Sequence, residues 1–287
     1  MPILSREMVN REWKIDNNYK PCFALTKLIL QSHKKNAHMS AIVFGPKRVG
    51  KSVYSLKVGE DLFQAFGLDE KEAWRFSIGS VVYTLEEFLQ SLEVLTEIDI
   101  PYPYLIVDDA GVGFSHLMRF TPEAQALKKV FDTIGTLVTA IIYTTPNPKG
   151  LLNYVRNVDS LRIKIVERSN ARRMAWSVGA EMTETGDLVF SSEGAPVDEF
   201  YVKLDDWKYE EYNKLRRSYS RRSVKEAIEV VLGGKENEEK NDKVPCSLCG
   251  KELNQYEAKE VVLDGQTSHL CEACYVQYTT GKIKNMT

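Results

Sequence analysis

The sequence predicts an α/β fold, a mostly parallel sheet flanked by helices, followed by a small C-terminal metal-binding module. Three observations carry this reading. Strand-like and helix-like patterns alternate over residues 1–204. A glycine-rich turn, Gly45 to Ser52, lies between an apolar run and a helix-compatible stretch. Four of the five cysteines fall near the C-terminus as two C-x-x-C pairs.

The composition fits this class. The chain has 287 residues, enough for about two domains of ordinary size. Apolar residues make up 43% and charged residues 27%, which excludes wholesale disorder, collagen and a coiled-coil rod. Lysine and arginine number 38 against 40 acidic residues, a net charge of −2, so any nucleic-acid contact must come from a local basic patch. No apolar run approaches the ~18 residues of a membrane span. Arg6, Glu7, Arg11 and Glu12 stand where a signal peptide needs an apolar stretch, so a soluble, cytoplasmic protein is expected. Five cysteines are too few for a disulfide scaffold.

Taken in order, Met39 to Phe44 reads as a short strand broken by Gly45, and Ser52 to Phe66 as a helix. Thr84 and Glu87 form a capping box ahead of Leu85, Phe88, Leu89, Leu92 and Leu95, which share one helical face. Tyr104 to Val107 is a buried-type strand. Thr121 and Pro122 open a helix with Ala124, Leu127, Phe131 and Ile134 on one side and Gly135 after it. Val138 to Tyr143 is a strand ending at Thr144, Thr145 and Pro146. Leu161 to Val166 and Arg172 to Val178 read as a hairpin around Ser169 and Asn170. Asp205 to Leu232 reads as helix, interrupted near Ser218 and ended by Gly233 and Gly234. Lys235 to Lys243 is almost wholly charged or amide, the composition of a solvated linker. The expected division is a core of residues 1–204, a basic helical extension 205–234, a linker 235–243 and a cysteine module 244–287.

Gly45-Pro46-Lys47-Arg48-Val49-Gly50-Lys51-Ser52 matches the phosphate-binding pattern G-x-x-x-x-G-K-[ST] at every fixed position. Gly45 and Gly50 let backbone N–H groups turn inward around a phosphate, and the following helix points its positive end at the same place. Lys51 neutralises phosphate charge, and the Ser52 hydroxyl is placed to ligate Mg²⁺. Such a loop needs a carboxylate at the tip of a neighbouring strand. Tyr104-Leu105-Ile106-Val107-Asp108-Asp109 supplies it: Asp108 as the Mg²⁺ partner, Asp109 as the group that polarises the attacking water. An acidic cap on a turn is the competing reading of this pair. At the next strand end, Thr145 is the candidate to sense the γ-phosphate or hold the water. Spacing does not rank it above Thr144, and a simple strand cap would use the same residues.

A strand ending in GPKRVGKS, then LIVDDAG, a helix and AIIYTTPNP resembles the additional-strand class of P-loop ATPases. The phrase LIVDDAGVGFS looks closest to the small NTP-binding proteins of archaeal viruses and plasmids. The resemblance covers about residues 20 to 180. It implies a sensor strand between the P-loop and Walker B strands, and it implies ATP rather than GTP, since no Asn-Lys-x-Asp motif is present. Such ATPases commonly work as rings with an arginine donated across subunits; Arg119 and Arg156 are the candidates. The hairpin expected at residues 161–178 stands where a helicase loader of the AAA+ type would carry a helical lid, which tilts the reading toward the DNA-pumping branch.

Two further motifs complete the chain. Lys214, Arg216, Arg217, Arg221, Arg222 and Lys225 sit within twelve residues, with Tyr212 and Tyr219 interleaved. They form a candidate DNA-binding segment, or a solvated face offset by Glu210, Glu211 and Glu226. Cys246 and Cys249, then Cys271 and Cys274, are separated by 21 residues and predict a closed, structural Cys₄ Zn²⁺ site resembling a zinc ribbon or treble clef. Gly250 suits the turn of the first knuckle, Lys259 to His269 supplies a hairpin with Asp264 and Gly265 at its tip, and His269 is expected beside the site rather than in it. A protein partner is expected for this module. The combined expectation is an ATP-hydrolysing, DNA-handling, ring-forming translocase or packaging-like protein, in the host cytoplasm if viral. A replication-initiator or helicase-loader-like ATPase of the AAA+ type and a nucleotide-gated adaptor with little hydrolysis are the alternatives.

Overall fold

The computed structural model describes residues 4, 6–98, 100–114, 122–152, 155, 160–182, 188–241, 243–254, 258–263 and 266–279. The chain divides into two compact units, Met1–Asn213 and Lys214–Thr287. The first is an α/β unit whose elements begin with α1 (Arg6–Val9), α2 (Ala24–Lys34), β1 (Met39–Phe44), α3 (Lys51–Ala65), α4 (Glu70–Gly79), β2 (Val81–Val82) and α5 (Leu85–Thr96). It continues with β3 (Tyr102–Val107), α6 (Ala110–Gly113), α7 (Pro122–Thr133), β4 (Val138–Thr145), β5 (Ser160–Glu167), β6 (Arg172–Met182) and β7 (Leu188–Tyr201).

The seven strands form one sheet in the order β2-β3-β4-β1-β5-β6-β7. The first five run parallel, and β6 and β7 fold back antiparallel beyond β5. The strand that ends in Thr144 and Thr145 therefore lies between β1 and β3, the order the resemblance implies. β1, β3 and β4 are buried almost throughout, because helices cover both faces, whereas β5 carries Arg162, Lys164 and Glu167 and is only partly buried. On one face Tyr102 and Tyr104 meet α3: the Tyr104 hydroxyl donates to the Ser55 carbonyl at 2.6 Å, and Trp13 joins Phe63, Phe66, Phe76 and Tyr102 in one aromatic cluster. On the other, Tyr143 packs with Phe114 and Phe131, and Phe88 of α5 stacks on Phe131. The two faces leave the carboxyl ends of β1, β3 and β4 side by side at one rim.

Local signals explain most boundaries. Thr84 caps α5 by accepting from Glu87 N–H at 3.1 Å, while the Glu87 carboxylate accepts from Tyr83 N–H at 2.8 Å, so the capping box closes one residue early. Asp69 caps α4 in the same way through Glu72 N–H at 2.8 Å. The expected hairpin is present and longer, Ser160–Glu167 with Arg172–Met182. The strand β7 that follows carries Gly194 and Pro196, which an edge strand tolerates, and the register shifts beside the Trp176–Pro196 pair.

Two expectations about the helical extension are corrected. α8 runs from Asp206 to Asn241 with no break at Ser218 and no end at Gly233 and Gly234. Lys and Glu are good helix formers at about a few tenths of a kcal/mol from alanine, so Lys235 to Asn241 propagates a helix without an apolar face. Its first turns belong to the α/β unit. Lys208 lies 2.5 Å from Glu60 and 2.6 Å from Glu70, within cation–π reach of the Trp74 and Trp207 rings, and Tyr212 is buried. Tyr212 is thus a core residue and not part of an exposed basic surface.

The second unit contains β8 (Lys243–Pro245) paired with β9 (Glu252–Asn254), a hairpin of β10 (Lys259–Leu263) and β11 (Gln266–Leu270), and α9 (Glu272–Thr279). Asp264 and Gly265, expected at the hairpin tip, lie outside the described residues.

Candidate functional site

The glycine-rich turn forms a loop between β1 and α3. Gly50 is the residue before α3 and takes a left-handed conformation, φ 105°, that a side chain would strain. Arg48 is left-handed too, at φ 65°. Lys51 opens α3 and folds back over the loop, its Nζ donating to the carbonyls of Gly45 at 3.1 Å and Pro46 at 2.9 Å. Pro46, Lys47 and Arg48 are exposed at the crest, and Val49 is buried beneath it. Unlike α4 and α5, α3 has no side-chain cap and no acidic residue in its first turn. Its positive end is left to the loop, an arrangement suited to an anion.

The carboxyl ends of β3 and β4 bring the polar residues to this loop. Asp108 is 6% exposed, and its Oδ1 accepts from Ser52 Oγ at 2.7 Å and from Thr144 Oγ1 at 2.5 Å. The Thr144 oxygen also accepts from Asp109 N–H at 3.0 Å. One carboxylate thus ties the start of α3 to the tips of two strands. An aspartate flanked by hydroxyls at a helix N-terminus is an all-oxygen donor set of the kind Mg²⁺ takes. Asp109 is exposed and left-handed, φ 54° and ψ 41°, and makes no side-chain cap. Aspartate tolerates that region better than most residues, and such outliers concentrate where side chains must be aimed.

Thr145 is placed differently from Thr144. Its hydroxyl donates to the Asn147 carbonyl at 3.1 Å and accepts from Asn147 N–H at 3.3 Å, closing the turn after β4. The structure therefore brings Thr144, and not Thr145, to Asp108. Alternation along the strand is the reason: neighbouring side chains point to opposite faces, and only one face carries α3. Arg119 and Arg156 lie outside the described residues. One residue the sequence pattern does not single out, Arg173 of β6, reaches the loop and donates to the Val49 carbonyl at 3.1 Å.

In the second unit the four cysteines converge. The sulfurs of Cys246, Cys249, Cys271 and Cys274 all lie within 4.8 Å of one another, and those of Cys249 and Cys271 are 3.8 Å apart. A tetrahedral site with Zn–S near 2.3 Å has sulfur–sulfur edges of about 3.8 Å, so the cluster fits a four-coordinate metal. All four cysteines are free, so none is engaged in a disulfide. Gly250 turns the first knuckle at φ 74° and its N–H donates to the Cys246 carbonyl at 2.8 Å. The second pair sits at the start of α9 rather than in another hairpin. The order is therefore knuckle, hairpin and helix.

The thiols feel one another strongly. Burial pushes Cys246 up, but N–H groups of Cys271, Cys249 and Leu248 outweigh it and bring it down to about 6. Cys274 is pushed up to about 12, first by its hydrogen bond to Cys271 and then by burial. Four cysteine sulfurs this close are placed to share one cation.

Along α8, Lys214, Arg217, Arg221 and Lys225 recur at helical spacing and are exposed, with Arg222 alongside. Arg216 is exposed on another side of the helix.

The molecule is therefore an α/β protein with a mostly parallel central sheet and a C-terminal four-cysteine cluster. No protein-family model matches the chain. It is similar to uncharacterized protein B-251 of Sulfolobus spindle-shape virus 1, 28% identical over 209 residues that span 71% of this chain and 83% of that protein. It is also similar to uncharacterized protein ORF286 of Acidianus two-tailed virus, 26% identical over 148 residues. Those residues are 50% of this chain and 49% of the relative, about half of each. Both relatives are archaeal virus proteins, which agrees with the viral part of the resemblance read from the sequence. No helix among the described residues is long and apolar enough to cross a membrane.

Proposed function

We propose that this protein binds and hydrolyses ATP with Mg²⁺ and couples that cycle to DNA, as a ring-forming translocase or packaging-like ATPase in the host cytoplasm. The observation that carries the reading is the shared carboxylate: Asp108 accepts from both Ser52 and Thr144 at the mouth of the Gly45–Ser52 loop. Ser52 and Asp108 would hold Mg²⁺, which when bound neutralises phosphate charge. Gly45 to Gly50 would cradle the phosphates with backbone N–H groups, and Lys51 would exchange its two loop carbonyls for phosphate oxygens. Asp109, exposed at the end of β3, would orient the attacking water, with Thr144 fixing its peptide. The four cysteines would hold one structural Zn²⁺ and present the second unit to a protein partner, and the basic face of α8 would track DNA phosphates.

The segment after β4 favours the translocase over the helicase-loader alternative, because the described residues 160–182 and 188–201 are antiparallel strands rather than a helical lid. ATP turnover with and without single- and double-stranded DNA, together with mass determination in ATP, tests the proposal. Stimulation by duplex DNA in an oligomer supports it. Tight ATP binding with negligible turnover on every DNA would replace it with the nucleotide-gated adaptor.

A further inference from the structure

The antiparallel arm β5–β6–β7 touches the phosphate loop at three places. A Cβ on Gly45 would stand 2.8 Å from the Ile165 carbonyl oxygen of β5, and one on Gly50 would stand 2.6 Å from Val202 Cγ1, just after β7. Between them Arg173 of β6, 8% exposed, turns its guanidinium under the loop. Nε donates to the Val49 carbonyl at 3.1 Å, and Nη1 donates to the carbonyls of Ser169 at 2.7 Å and Arg172 at 3.0 Å. Nη2 lies 3.2 Å from the Glu167 carboxylate. Three partners on the hairpin hold the fork in place, and the fourth bond is made to the loop.

The Val49–Gly50 peptide needs such a hold. A trans peptide is planar, with its C=O and N–H on opposite sides, so fixing one fixes the other. Flipping this peptide changes ψ of Val49 and φ of Gly50, and glycine accepts either sign of φ at little cost. With the Val49 carbonyl held on Arg173, the Gly50 N–H faces the opposite way, and the positive φ of 105° is kept. In the flipped state a carbonyl oxygen would replace that donor and repel an anion.

We propose that Arg173 is a positioning residue of the phosphate loop: by holding the Val49 carbonyl it aims the Gly50 N–H at the polyphosphate of a nucleoside triphosphate, without touching the phosphate itself. This rests on the nucleotide reading above. Arginine suits the task because its planar fork reaches several carbonyls at once and stays charged, which lysine cannot match with a single ammonium.

The test uses the full chain, selectively ¹⁵N-labelled at glycine, as parent, Arg173→Gln, Arg173→Lys and Lys51→Ala. Affinity is measured for Mg-ATP and for inorganic tripolyphosphate, and the Gly50 amide resonance is followed in titrations with each. Arg173→Gln is expected to keep its far-UV spectrum, to weaken both ligands by on the order of tenfold, and to lose the phosphate-induced Gly50 shift. Arg173→Lys, which keeps the charge, is expected to show the same loss in smaller degree, and it carries the test if the glutamine variant does not fold. Folded arginine variants with parental affinity and an unchanged Gly50 shift overturn the inference alone. A parent that binds neither ligand, or a Lys51→Ala variant that binds both as the parent does, overturns the nucleotide reading and this inference with it.

Discussion

Ser52 Oγ and Asp108 Oδ1 meet at 2.7 Å across 56 residues of sequence, joining the first turn of α3 to the end of β3. Thr144 adds a third tether from β4 to the same oxygen. Sheet order makes this possible, because β4 lies between β1 and β3 and delivers its hydroxyl midway. The site is therefore held by elements of the core and not by a loose loop.

In the proposed cycle Asp109 is the group that would separate binding from turnover. Its left-handed backbone is one that asparagine also tolerates, so Asp109→Asn keeps the local fold. ATP affinity should stay near the parental value while the hydrolysis rate falls by at least ~10²-fold, the scale for a base or water-positioning group. Single-turnover kinetics on the variant check this, and unchanged turnover moves the role to another residue.

The cysteine cluster should bring down one zinc per chain in elemental analysis. Protons compete with metal for thiolates, so zinc is held at neutral pH and released as the pH falls. Cys249→Ser removes one of the four ligands and should expose residues 244–287 to protease while ATP affinity stays near parental. A zinc-free protein, or a metal-free form with a collapsed nucleotide site, contradicts this.

The exposed residues Arg216, Arg217, Arg221 and Arg222 are expected to supply much of any DNA affinity. Replacing all four by Gln should weaken binding to every sequence alike. The slope of log affinity against log salt should shrink by roughly three to four units, near one for each phosphate no longer neutralised. A slope equal to the parent's would show a solvated helix face.

His33 provides a pH signature of the α/β unit. Its Nε2 lies 3.1 Å from the Trp13 carbonyl, which only accepts, and its Nδ1 lies 3.2 Å from the Thr139 hydroxyl. This pairing suits the neutral ring. Burial lowers the pKa of His33, partly offset by the bond to Trp13, and burial lowers that of His38 as well. Between the unfolded value near ~6.5 and the lower folded value the unfolded chain binds more protons, so stability is lost as the pH falls through that window. Melting temperatures from pH 7.5 to 5 should show this loss, and His33→Gln should flatten it. An equal slope in the variant would place the acid sensitivity elsewhere.

Much of the site was legible because its parts are local. The loop from Gly45 to Ser52, the strand ending in Asp108 and Asp109, and the two cysteine pairs each state their chemistry within a few residues. What escaped the sequence depends on tertiary contact. Arg173 acts on Val49 across 124 residues, and nothing in the alternating pattern of β6 marks it. That Thr144 and not Thr145 reaches Asp108 was visible only once β4 was paired and the face carrying α3 was known. The strand β7 was hidden by its Gly194 and Pro196, and the continuation of α8 by Gly233, Gly234 and a polar run that read as linker. The burial of Tyr212 followed from packing of the first turns of α8 on the core, which helical periodicity alone did not reveal.

The most direct test of the nucleotide assignment is Mg-ATP binding and hydrolysis by the parent beside Lys51→Ala. Lys51 donates to two loop carbonyls and in this assignment would be the cation offered to a β- or γ-phosphate. The parent should bind Mg-ATP and release phosphate, and Lys51→Ala should do neither while keeping its zinc and its far-UV spectrum. A Lys51→Ala protein that hydrolyses ATP at the parental rate, or a folded parent that binds no nucleotide, would contradict the assignment of the Gly45–Ser52 loop.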